Sequence, residues 1–411
     1  MTGTERSRAP SQGWTKRETM WKKLLLLTMG VAMGLVLCEL SLRAVRWGQG
    51  QPYVPDEHCG TRLMPGFSGW WQREGRAYIR INRYGFRHGD RHPEKRPGTL
   101  RVAVLGDSFI EAFQVPDEQT LCEVAERKLA SCAVSAGRVV EVLNFGVAGY
   151  GTGQQLQMLK HFVWDYQPDV VVLAFFPGND LRNNSADLEP DPLRPFFRLR
   201  DGQLERDDSF REHPVYQHAQ SASARGKVWL INRIRLLQLV QDVRSRLAQQ
   251  KGPIPSLLGA GIDEKAWLEP SDPLLEEAWQ VTEQLIVAIH QACRKREVPF
   301  LLLVIGSQAD LHPEPEVRER LLRQLAADDL RYPERRLQKL ARQHGFAVLA
   351  LAEPMRRYAQ AHGQYLHGFA NTQPGSGHWN EAGNRLAGQL TAGAICDLLQ
   401  EVSTATPSTS R

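Results

Sequence analysis

Apolar positions fall into three patterns along the chain. Near the N-terminus, residues 24–38 (LLLLTMGVAMGLVLC) form a nearly unbroken apolar run, which reaches Leu42 with one interruption at Glu39. Residues 51–99 are mixed and rich in Gly, Pro and aromatics, with one alternating piece, AYIRIN at 77–82. From Leu100 onward, compact apolar runs alternate with stretches of three- and four-residue apolar spacing. The runs are 100–106 (LRVAVLG), 139–146 (VVEVLNFG), 169–176 (DVVVLAFF), 299–306 (PFLLLVIG) and 346–352 (FAVLALA).

Runs of this kind are strands covered on both faces. Their alternation with helices implies right-handed crossovers and a parallel sheet. Residues 120–130 read as one such helix. Asp272-Pro273 is a cap and first-turn proline, followed by Leu275, Trp279, Thr282, Leu285, Ile286, Ile289 and Cys293 at helical spacing. A last helix carries Leu386, Leu390, Ile395, Leu398, Leu399 and Val402. The expected fold is therefore α/β and flavodoxin-like: three α/β/α layers around a five-stranded parallel sheet, preceded by an N-terminal membrane anchor helix. Glu141 interrupts the second strand, which suits a sheet edge.

The chain divides as 1–23 (basic N-terminus), 24–42 (anchor), 43–99 (a lead-in packing on the main domain), 100–402 (the domain) and 403–411 (a disordered polar tail). Residues 181–270 break the strand–helix rhythm and read as an insertion. It holds a hairpin, FRLRDGQLER at 197–206, with Asp-Gly at the turn, and a helix around 227–249. Trp70 and Trp71 are expected to be packing residues.

Charge sharpens the N-terminal reading. The first fifty residues hold eight Lys/Arg and three acids, so the whole net charge of +5 lies there. The body is near neutral and gives no reason to expect nucleic acid. The apolar run is short for a span of ~20 residues, but it has neither a good signal-cleavage site nor a lipoprotein signal before Cys38. An uncleaved anchor is expected. Six basic residues precede the run, which keeps the N-terminus cytoplasmic and the body outside, in the periplasm of a Gram-negative cell. The six cysteines include no CxxC pair, which argues against a zinc knuckle or redox motif. Cys122 and Cys132 flank one helix and would pair only if the chain turned sharply after it.

Four short segments carry candidate chemistry. GDSF (106–109) follows the first strand, NFGVAGYG (144–151) the second and PGND (177–180) the third; SGHWN (376–380) precedes the last helix. Each alone is an ordinary turn. In this order, on these elements, they resemble the SGNH family of GDSL-type hydrolases, over roughly 100–180 and 299–402. NRYGFR (82–87) and the anchor also resemble membrane-anchored bacterial relatives. The resemblance implies a serine esterase with Ser108 as nucleophile, Gly149 and Asn179 as oxyanion donors and His378 as base, without metal or cofactor. The chemistry asks for these groups independently: a nucleophile, a base, and N–H donors where negative charge develops. The Ser108 N–H would be a third donor. Gly149 is preferred to Gly146 because it lies five residues beyond Asn144, as in other members. Asp107 and Asp180 are expected to hold their turns. His362 and His367 are too irregularly spaced before His378 for a metal pair.

One position departs from the pattern. The family's acid stands three residues before the histidine, and here that residue is Gly375. A loop carbonyl, an acid from elsewhere, or loss of catalysis would each account for it. Among acids from elsewhere, Glu353, ending the fifth strand, is the best-placed candidate; Glu381 fits better in the first turn of the helix capped by Asn380. The expected partner is a small acyl ester, or an acylated carbohydrate or lipid. Resemblance to anchored relatives that O-acetylate exopolysaccharide makes acyl transfer an alternative, and the missing acid makes a non-catalytic scaffold another. A nucleotide-binding flavodoxin-like module is disfavoured because no phosphate loop carries a lysine.

Overall fold

A computed structural model describes residues 12–249 and 264–405. The outermost N-terminus, residues 250–263 of the insertion and the tail from 406 lie outside the described residues. Helix α1 (Gln12–Ala44) is the first element of the described residues. Its portion Met20–Ala44 is long and apolar enough to cross a membrane, and none of that portion is buried in the protein.

The lead-in forms two hairpins, β1 (Tyr53–Asp56) with β2 (Gly60–Leu63) and β3 (Ser68–Trp71) with β4 (Ala77–Arg80). In β4, Ala77 and Ile79 are buried while Tyr78 and Arg80 face out, the period-two pattern of a half-covered strand. Trp71 packs edge-on to Phe113, and Trp70 on Tyr78.

The main sheet contains β5 (Thr99–Gly106), β6 (Val139–Gly146), β7 (Val170–Phe175), β10 (Phe300–Val304) and β11 (Ala347–Ala350), in the order β11-β10-β7-β5-β6. All pairings are parallel, with Val104 opposite Val172 and Asn144. The first strand in sequence thus lies between the second and third, the flavodoxin-like order in which ligands bind beyond the strand ends at the switch point.

Alternate residues of β5 feed two cores. Ala103 and Leu105 join one with Trp279, Leu285 and Ile289; Leu100, Val102 and Val104 join the other with Leu121, Ala125 and Ile395. The first layer contains α4 (Thr152–His161) and α9 (Pro273–Arg294); the second contains α3 (Leu121–Leu129) and α13 (Glu381–Ala405). Asp272 caps α9 as expected, accepting from the Leu274 N–H. Helix α13 runs past the boundary expected at Val402. Edge strand β6 carries Glu141, which pairs with the buried Arg101 of β5 at 2.7 Å.

The remaining helices are α2 (Ser108–Glu111) and α5 (Pro177–Asn184), at the ends of β5 and β7, with α10 (Pro315–Leu325), α11 (Tyr332–His344) and α12 (Ala352–His362) flanking β11. The insertion folds as hairpin β8 (Phe196–Arg200) and β9 (Gln203–Asp207), then α6 (Pro214–Gln220), α7 (Ala222–Arg233) and α8 (Arg235–Gln249). The single helix expected around 227–249 is broken at Ile234, whose backbone is extended.

Cys122 and Cys132 do not pair. Cys132 pairs with Cys396 of α13, and Cys122 is a free buried thiol. Cys122 points into the core between α3 and the sheet, whereas Cys132 follows the helix on the side that α13 covers.

Candidate active site

Strand β5 ends at Gly106, and the chain turns at once into α2. Asp107 caps this helix, its Oδ1 accepting the Phe109 N–H at 2.9 Å. Ser108 is therefore held at a helix start, at the carboxyl edge of the sheet. The NRYGFR segment supports it from behind. Buried Arg87 donates to the carbonyls of Glu111 (2.7 Å), Ala112 and Val115 (2.6 Å), where α2 ends.

His378 reaches Ser108 from the loop before α13. Its Nε2 lies 2.8 Å from Ser108 Oγ. The loop is closed by backbone bonds from Gly368 to the His378 carbonyl, from Gly375 to His367 and from Asn380 to Leu366. The Asn380 side chain accepts from Ala382 and Gly383, starting α13 as expected, and Glu381 follows in its first turn. Phe109 packs its ring 5.1 Å from the His378 ring.

The acid beside His378 is neither Glu353 nor a loop carbonyl. It is Glu74, from the turn between β3 and β4. Glu74 Oε2 accepts from His378 Nδ1 at 2.5 Å, and Oε1 accepts the His378 backbone N–H at 2.6 Å. The turn is latched to the histidine loop by Asn371, which accepts the Gly75 N–H and donates to the carbonyls of Gln72 and Gly75. Glu353 instead binds Arg356 and Arg357 and pairs with Arg331 at 3.4 Å. It lies in the first turn of α12, after edge strand β11, which is three strands from β5, or ~14 Å at the usual strand spacing.

The glycines of the loop explain the exchange of acids. Gly375 has φ +78°, and a Cβ there would lie 2.6 Å from the His312 ring. That ring occupies the space an acidic side chain would need. Gly377 has φ +80°, and a Cβ would meet Glu74 Oε1 at 2.0 Å, so only glycine admits the carboxylate.

Electrostatics follow the geometry. Burial acts to lower the His378 pKa, but the hydrogen bond and charge of Glu74 outweigh it, and the net shift is upward. Burial acts to raise Glu74, and the bonds and charge of His378 carry it net downward. Each partner favours the charged form of the other. His367 is buried behind the loop and held neutral, pushed down to about 3 by burial. The ring of His362 stacks on Tyr358, and its Nδ1 lies 2.8 Å from that residue's carbonyl.

The three expected donors follow the ends of β5, β6 and β7, at the same edge of the parallel sheet. Asn179, in the first turn of α5, donates through Nδ2 to Asp107 Oδ2 at 2.9 Å, which orients the amide and leaves it a second hydrogen. Among the described residues, no acceptor takes the N–H of Ser108 or Gly149. Gly146 differs, since its N–H donates to Asn144 Oδ1. Gly149 has φ +77° with nothing within 4 Å of a Cβ, so backbone conformation, rather than crowding, calls for glycine. Asp180 accepts the Phe176 N–H and holds its turn.

Two supports fix the Gly149 loop. Glu111 accepts the Ala148 N–H at 3.0 Å and the Tyr53 hydroxyl at 2.9 Å, and burial pushes its carboxyl up to about 7. Arg194, from the insertion, donates to the Gly149 carbonyl at 2.9 Å. A cavity of about 570 Å³ adjoins this loop, lined by Tyr53 and Thr61 from the lead-in and Asp191, Arg194 and Tyr216 from the insertion.

No family model and no curated protein matches the chain. Among solved structures it is similar to an acetyl xylan esterase, at 14% identity and a TM-score of 0.38 over 72% of this chain and 100% of that one. It is also similar to a lipase/acylhydrolase from Enterococcus faecalis, at 16% identity and a TM-score of 0.34 over 72% and 96% of the two chains. A third is a catalytic mutant of an acetylxylan esterase from Geobacillus stearothermophilus, at 8% and 0.35 over 73% and 94%. Likenesses this distant carry no argument about activity.

Proposed function

We propose that this chain is a serine ester hydrolase, anchored by α1 with its body outside the cytoplasm, and that Ser108, His378 and Glu74 form its catalytic relay. The carrying observation is the continuous path from Ser108 Oγ to His378 Nε2 and from Nδ1 to Glu74. Nδ1–H bonded to a carboxylate leaves Nε2 as the basic nitrogen facing the hydroxyl. Nε2 takes the Ser108 proton as Oγ attacks the ester carbonyl carbon. The oxyanion receives the N–H groups of Ser108 and Gly149 and the Asn179 amide, each such donor being worth ~10²–10³ in rate. His378 then gives the proton to the departing alkoxide, leaving an acyl-serine. A water deprotonated by Nε2 releases the acid and restores Ser108.

The presence of Glu74 removes the ground for a scaffold reading, which rested on the lack of an acid. The cavity beside Gly149, mostly apolar with Thr61, Asp191 and Arg194 in its wall, supports a small acyl ester. The Cys132–Cys396 disulfide supports an oxidising compartment. Glu39 and the apolar span support retention of the helix as an anchor.

A fluorophosphonate probe on the full chain tests the reading. Wild type is expected to be labelled at Ser108, with Ser108→Ala unlabelled and His378→Ala slowed by at least ~10³-fold. A folded wild type that resists labelling overturns it.

A further inference from the structure

The apolar run of α1 carries one acid near its end. Glu39 accepts the backbone N–H groups of Arg235 (3.1 Å) and Leu236 (2.9 Å), the first two residues of α8, and bonds Arg43 at 2.8 Å. It therefore caps a helix that belongs to the insertion, nearly two hundred residues away. An acid in an apolar span needs such partners, and a helix N-terminus offers both orphan N–H groups and positive potential.

This contact sets a depth. Glu39 precedes the end of the span at Ala44 by roughly 7 Å at the helical rise of about 1.5 Å per residue. The start of α8 is thereby held level with the last turns of α1. Arg43 donates to the Arg233 carbonyl, and Asn232 exchanges two bonds with the Gln51 backbone, so the α7–α8 elbow is clamped there.

From that point α8 presents Val240, Val243 and Leu247, three and four residues apart on one face and 47%, 46% and 59% exposed. Trp229 and Leu230 of α7 are also exposed, and Arg233 lies 4.3 Å over the Trp229 ring. Residues 222–247 carry six Lys/Arg and one acid. An apolar face bordered by tryptophan and basic side chains is the composition of a helix lying in a bilayer interface.

We infer that the α7–α8 face rests on the lipid surface from which α1 emerges, with Val240, Val243 and Leu247 dipping among the acyl chains. The occupant is the bilayer, because the cap by Glu39 holds the start of α8 at the level where the span ends. The inference rests on α1 being an anchor, and it adds a second contact that orients the body. A cavity of about 490 Å³ lined by Met64, Phe67, Trp229 and Arg233 then opens at headgroup level.

Spin labels on the full chain in phosphatidylglycerol-containing bilayers separate the two claims. One label is placed on native Cys38, which is exposed on α1. A second is placed at Val243→Cys, and a third at Val139→Cys on the far sheet edge, both in a Cys38→Ser background. Relaxation by oxygen, which concentrates in lipid, is compared with relaxation by a water-soluble nickel chelate. Oxygen is expected to dominate at Cys38 and Val243, and nickel at Val139. A Cys38 label in lipid with the Val243 label in water overturns the inference and leaves the anchor standing. A Val243 label shielded from both reagents also overturns it, since protein then covers the face. A Cys38 label in water overturns the anchor, and the inference with it.

Discussion

At the scale of single residues, the acid decides how the site behaves with pH. Glu74 and His378 shift in opposite directions, so their contact is strongest with both charged. Glu74 has a lowered pKa; its stabilisation is present above about 4.5 and lost as pH falls through the folded value. His378 has a raised pKa; its stabilisation is present below about 6.5 and lost as pH rises through the folded value. The window common to both is about pH 4.5–6.5, whereas the proposed base role needs neutral His378, so activity is expected to rise above it. Glu74→Gln is expected to lower kcat by ~10³–10⁴-fold, as removal of such a charge does in a serine protease. It is also expected to move the acid limb of kcat/KM to lower pH, because the group that raises His378 is gone. A pH–rate profile of this variant that keeps the wild-type limb would refute the role of Glu74. Adding Gly375→Asp to that variant is expected to restore nothing, since His312 fills the space and φ is +78°.

At the scale of elements, the proposed relay is divided among parts that fold around different local signals. Ser108 sits where a buried strand meets a capped helix, and His378 where a glycine-rich loop meets another; both transitions are visible as sequence patterns. Glu74 sits at the tip of a hairpin outside the main sheet. Nothing marks it among the 46 acids of the chain, because its importance comes from the docking of that hairpin on the 366–380 loop. Asn371 makes three bonds across this junction. Asn371→Ala is expected to cost ~1–3 kcal/mol of stability. It should lower kcat by ~10–100-fold while leaving the fluorophosphonate target intact. Equal loss in KM alone, with kcat unchanged, would count against a positioning role.

The whole molecule is tied at both ends of its described chain. Helix α1 is joined to α8 through Glu39, and α13 is joined to the end of α3 through Cys132–Cys396, residues 264 apart in sequence. Closing so long a loop restricts the unfolded chain strongly. Cys132→Ser is expected to cost ~2–5 kcal/mol and to lower Tm by about 4–10 °C, with little change in kcat, because the bond is remote from Ser108. Thermal unfolding with and without reductant checks this: a reductant-insensitive wild type would show that the disulfide does not contribute.

The sequence by itself determined the α/β layering, the parallel strands, the apolar N-terminal helix, and Ser108, Asn179 and His378 as the candidate chemistry. Those properties are local: burial on both faces writes continuous apolar runs, caps and turns use few residue types, and each candidate follows a strand or precedes a helix within a few positions. The tertiary structure alone decided the acid, the partner of Cys132 and the partner of Glu39. Each is a contact between segments far apart in the chain, and such contacts leave no period or spacing in either segment. An acid three residues before the histidine would have been legible; one delivered by a hairpin three hundred positions earlier is defined only when that hairpin docks.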